Sequence, residues 1–63
     1  MSQDYDMLEM PIEAAIDIIM VDGAGINEAI DSMILAYDLT PNEQRAMIYF
    51  MAQKGYRYTN KGA

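Results

Sequence analysis

The sequence predicts an all-α domain: a small three-helix bundle with a short N-terminal arm and a C-terminal tail. Two stretches place apolar residues at helical spacing, a proline-led capping signature opens a third, and turn-forming residues separate the three. At 63 residues there is room for one domain and no second core.

Residues 1–10, MSQDYDMLEM, carry no helix-length pattern and read as a loose arm with room for one turn of helix, from which Tyr5, Met7 or Leu8 could dock on a core. The first helix is expected to run from Pro11 to about residue 22. Proline suits a first helical position because the N–H it lacks would have no partner there. Ile12, Ala15, Ile16, Ile19 and Met20 then follow at i, i+3, i+4, i+7 and i+8, and Ile18 and Val21 widen the stripe. Asp22, Gly23, Ala24 and Gly25 end it, glycine being suited to the left-handed backbone of a helix C-terminus.

The second helix, expected over residues 26–38, has the clearest pattern. Ile26, Ala29, Ile30, Met33, Ile34 and Tyr37 form one face, and Glu28, Asp31 and Ser32 fill the other. Either Gly25 or Asn27 could be its N-cap. Asp38, Leu39, Thr40 and Pro41 break the pattern, since a proline disfavours helical geometry in the residue before it. The third helix, over residues 41–54, opens with Thr40 as N-cap, Pro41 at N1 and Glu43 at N3, a reciprocal capping box. Its middle, Ala46 to Ala52, is apolar on every face, so the helix is either central or covered by a partner. Gly55 suits the position after its end, and the basic tail YRYTNKGA follows, with Tyr56 expected to fold back and the last residues to fray.

Composition narrows the function. With no cysteine and no histidine, disulfides, the common zinc sites and imidazole chemistry are excluded. No cofactor or metal is expected. Paired acids could serve as a catalytic dyad only in a cleft that shifts their pKa, and one small bundle offers little concave surface, so no catalytic residue is assigned and the chain reads as a non-enzyme. Residues 22–28 lack the alternating ligands of a calcium loop, and Gly23-Ala24-Gly25 follows a helix where a phosphate loop would follow a strand. No run is long and apolar enough for a membrane span, and the first ten residues are acidic where a signal peptide would be basic, which points to the cytoplasm.

The net charge is −6, from ten acids and four bases, and every base follows the last acid, Glu43. Such a split suits internal complementarity, a head-to-tail dimer, or an acidic face shown to a basic partner. Glu9, Glu13 and Asp17 stand at i, i+4 and i+8 and would form a row of carboxylates if the helix reached back to Glu9. Apolar residues make up 52% of the chain, more than so small an interior is expected to hide, and seven methionines add adaptable surface. The expected anchors of an interface are Met33, Tyr37, Met47, Phe50 and Met51, with an acidic rim of Glu9, Glu13, Asp17, Glu28 and Asp31.

From Pro11 to Gly55, three short helices follow one another in a span whose second and third members carry Ala29-Ile30-Asp31-Ser32-Met33-Ile34 and Pro41-Asn42-Glu43-Gln44-Arg45-Ala46-Met47-Ile48-Tyr49-Phe50-Met51. This resembles the ubiquitin-associated (UBA) domains, in which a proline-initiated third helix ends in two large apolar residues, here Phe50 and Met51. The resemblance implies a compact three-helix bundle that binds partners through the loop after helix 1 and the end of helix 3. Where that family has Met-Gly-Phe or Met-Gly-Tyr, this chain has Val21-Asp22-Gly23-Ala24-Gly25, so the topology carries over and the ligand does not.

The functional expectation is a small acidic protein-binding module, itself a homo-oligomer such as a dimer or a subunit of a complex, that occludes its partner through an apolar helical surface with an acidic rim, in the style of phage-encoded inhibitors of host proteins. Two alternatives stand beside it: a nucleic-acid mimic, whose carboxylates occupy the basic groove of a nucleic-acid-binding protein, and a structural homo-oligomer such as a dimer. Tyr56-Arg57-Tyr58 is too short a basic and aromatic stretch to make an acidic chain bind nucleic acid directly.

Overall fold

Leu8 starts the pattern that organises the first helix. A computed structural model describes residues 3–59, with side chains from Asp6 onward, and α1 runs through Gln3–Asp22 with Pro11 inside it. The N-terminal arm expected from the sequence is thus replaced by the opening turns of α1. Met1, Lys61 and the side chain of Tyr5 lie outside the described residues. Leu8, Pro11, Ile12 and Ala15 stand at i, i+3, i+4 and i+7 and are all buried. An interior proline removes one helical hydrogen bond and crowds the preceding turn, at a cost of about 3 kcal/mol. Burial of Leu8 returns roughly 1.5–3 kcal/mol, and the proline ring is itself enclosed. Read locally, Pro11 looks like a first residue; the apolar partner one turn earlier makes it an interior one.

The second and third helices match their sequence patterns. α2 spans Ile26–Ala36, and its N-cap is Gly25, with extended backbone and no capping side chain. α3 spans Pro41–Gln53, and the Thr40 capping box forms as expected. The Glu43 N–H donates to Thr40 Oγ1 at 3.2 Å, and the Thr40 N–H donates to Glu43 Oε1 at 2.8 Å. Both helices end in a Schellman turn, which gives otherwise orphaned carbonyls a donor. In α2, Leu39 N–H reaches Ile34 O at 3.1 Å through Asp38, whose φ is 53°. In α3, Tyr56 N–H reaches Met51 O at 2.9 Å through Gly55, whose φ is 96°.

α1 lies at the centre, packing extensively on both other helices, while α2 and α3 touch each other little. Met7 stands beside Asn42, Glu43 and Ala46, so α3 begins where α1 begins. The segment after α3 reaches Asn27, at the start of α2. α3 therefore runs parallel to α1 and antiparallel to α2. The core consists of Leu8, Ile12 and Ala15 from α1, Ala29 and Ile30 from α2, and Met47 and Met51 from α3. The radius of gyration is 10.8 Å, against roughly 10.6 Å for a globule of this length, so one chain closes its own core.

Candidate binding surface

The stripe that buries Leu8, Ile12 and Ala15 fixes what α1 turns outward. Asp6, Glu9, Met10, Glu13, Asp17, Met20 and Val21 succeed one another at three- and four-residue steps on the opposite side, and all are exposed. Because α1 reaches back beyond Glu9, the carboxylate row expected from the sequence is formed, and Asp6 extends it. Met10 and Met20 are 69% and 70% exposed, and Val21 is 73% exposed. The face is about 22 Å long at 1.5 Å per residue. Like charges at i, i+4 oppose the helix by roughly 0.2–0.5 kcal/mol per pair, so the row costs stability where it stands.

On α2, Glu28 and Asp31 are exposed, and Leu35, one turn after Asp31, is 83% exposed. All five expected rim acids are therefore at the surface. The expected anchors divide. Tyr37 is exposed, Met33 and Phe50 are half-buried, and Met47 and Met51 are wholly buried. Those two methionines are core side chains and are corrected as surface anchors: the run on α3 that is apolar all round faces α1 with Met47 and Met51. Outward it shows Tyr49, whose ring meets Phe50 edge-on at 5.5 Å. The sequence reading missed Met10, Met20, Val21 and Leu35 as exposed apolar groups. For the two on α1 after residue 19, the available signal was the helical period counted from Leu8, which rotates Met20 and Val21 away from the core.

Of the two regions that the ubiquitin-associated resemblance implies, the loop at residues 23–25 is largely exposed, and the pair at the end of helix 3 has Met51 inside and Phe50 half inside.

The C-terminal tail is docked on α2 as far as Thr59. Asn27 Nδ2 donates to Thr59 O at 2.7 Å, and Thr59 N–H donates to Asn27 Oδ1 at 2.9 Å, so one side-chain amide pairs with both backbone groups of one residue. Tyr58 O–H donates to Asp31 Oδ1 at 2.8 Å. Tyr56 and Tyr58 pack against the core, Tyr56 folding back as expected. The hydrogen bond to Asp31 comes first among the causes that raise the Tyr58 phenol above its ordinary pKa of 10.0, followed by burial and by the Asp31 charge. A raised folded value means that the contact is present below the unfolded pKa and is lost as pH rises through the folded one. Ultraviolet titration of the phenolates, with Tyr58→Phe as reference, should therefore show Tyr58 ionising above pH 10.0 and Asp31→Asn lowering it; ionisation at or below that value would contradict the contact.

Chemistry at this surface is limited. Among the described residues no polar or charged side chain is buried, and no group of three or more acids is placed to hold a metal ion. The depression between Met7, Asn42, Glu43 and Ala46 has a volume of about 50 Å³, room for no more than a few waters. No described helix is long and apolar enough to cross a membrane. No family model matches the chain, and no curated protein or solved structure matches it significantly.

Proposed function

We propose that this protein is a small, acidic, non-enzymatic binding module that docks on a basic protein surface through the outward face of α1 and acts by covering it. One observation carries the reading: exposed Met10, Met20 and Val21 share a helix face with Asp6, Glu9, Glu13 and Asp17. Carboxylates steer a basic partner and fix register, while desolvated apolar side chains supply most of the affinity. A helix face offering both is suited to a groove with a basic rim and an apolar floor. Leu35 with Glu28 on α2 repeats the combination. Occlusion of a functional surface is an inhibitor's mode of action, and we place that action in the cytoplasm, as with phage-encoded inhibitors of host proteins.

The ordered row also suits a second reading, a nucleic-acid mimic in which the carboxylates themselves supply the affinity. Salt and substitution separate the two. With the complex retained from the cells that make the protein, Met10→Ser with Met20→Ser should lower affinity at least about tenfold, while salt from roughly 50 to 500 mM changes it little. A complex indifferent to both methionines and lost steeply with salt would favour the mimic. A stable dimer at low concentration that retains no partner would favour a homo-oligomer.

A further inference from the structure

The tail's contacts with α2 are those of a peptide in a recognition site. The Asn27 amide pairs with the N–H and C=O of Thr59 as the facing residue of an antiparallel sheet would, a contact that reads backbone, and the Thr59 hydroxyl adds a longer bond to Asn27 Oδ1 at 3.4 Å. One helical turn on, Asp31 takes the phenol O–H of Tyr58, a contact that reads a tyrosine. The rings of Tyr56 and Tyr58 pack against the core. The acids Glu28 and Asp31 on this face are opposite in charge to Arg57, within the segment that occupies it. The hydrogen bonds that hold Tyr58 and Thr59 on α2 are exposed to solvent, the condition under which such a segment opens locally.

We propose that the α2 face bearing Asn27 and Asp31 is a binding site for an extended, basic, tyrosine-bearing peptide segment of a partner protein, and that residues 56–59 occupy it in cis as a competing pseudo-ligand. The tail sets the threshold. A partner segment must match the local concentration of the tethered tail, so its apparent affinity is reduced by the fraction of chains in which the tail is open. The site lies on α2 and does not use the outward face of α1, so it stands or falls separately from the docking proposed there.

The probe is a fluorescent peptide of residues 55–63, GYRYTNKGA, titrated into the full-length chain. Tyr58→Phe with Thr59→Pro removes the phenol donor and the backbone N–H from the tethered tail, and should tighten peptide binding at least about tenfold over the wild-type chain. Asn27→Ala added to that chain should abolish binding, and a peptide carrying the same two tail substitutions should not bind. Asp6, Glu9, Glu13 and Asp17 changed to their amides should leave the peptide affinity within about threefold, which separates this site from the α1 face. Circular dichroism verifies folding; if the double tail variant does not fold, Tyr58→Phe alone should give a smaller gain in the same direction. Equal binding to the wild-type and opened chains, or indifference to Asn27→Ala, would overturn the proposal. So would a dimer in which Asn27→Cys and Thr59→Cys, unique thiols in a cysteine-free chain, crosslink between copies, since the occupant would then be a second copy.

Discussion

Leu8→Ala is expected to destabilise the protein by about 2–5 kcal/mol, the usual cost of truncating an enclosed leucine. Leu8 is 1% exposed and stands on the same stripe as Ile12 and Ala15, so its side chain belongs to the core and holds α1 together across Pro11. A chain of 63 residues has roughly 3–9 kcal/mol of stability to lose, so the variant should be partly or wholly unfolded at room temperature. Urea denaturation followed by circular dichroism measures the effect. Were residues 3–10 a loose arm, the same substitution would change stability by less than about 0.5 kcal/mol. An unchanged midpoint would therefore return the first two turns of α1 to an arm.

The second large effect separates core from surface among the apolar residues. Met47→Ala is expected to cost about 2–5 kcal/mol, because Met47 is fully enclosed among residues of all three helices. Leu35→Ala, at a position 83% exposed, should stay within about 0.5 kcal/mol of the wild type. Thermal melts of the two variants side by side decide the matter. Equal losses would mean that Leu35 is covered in the folded protein, and a harmless Met47→Ala would mean that α3 faces the other way.

These assignments show where the sequence is informative. The start of α3 is legible because Thr40, Pro41 and Glu43 act on backbone groups within a single turn, and the expected reciprocal bonds are the ones formed. The stripe on α2 is legible because its polar face is uninterrupted from Glu28 to Ser32. Pro11 misled because its two roles, first residue and interior residue, differ only in what the preceding turn packs against. Met47 and Met51 could not be assigned from period, since a helix apolar on every side has no phase. The acids of the surface were readable one by one from their charge. Their apolar companions were not, because Met10 and Met20 carry the same hydropathy as Met47 and differ only in direction. The docking of the tail was out of reach for another reason: Asn27 and Thr59 are 32 residues apart, and neither carries a local signal of the other.

α1 offers acids and methionines together on one outward face. Its methionines report on that face directly, because peroxide converts an accessible thioether to a sulfoxide that mass spectrometry locates. In the free protein, Met10 and Met20 should oxidise quickly and Met47 and Met51 only on unfolding. In the partner complex, Met10 and Met20 should become protected together. Unchanged oxidation of both in a complex that demonstrably forms would contradict the claim that this face does the binding.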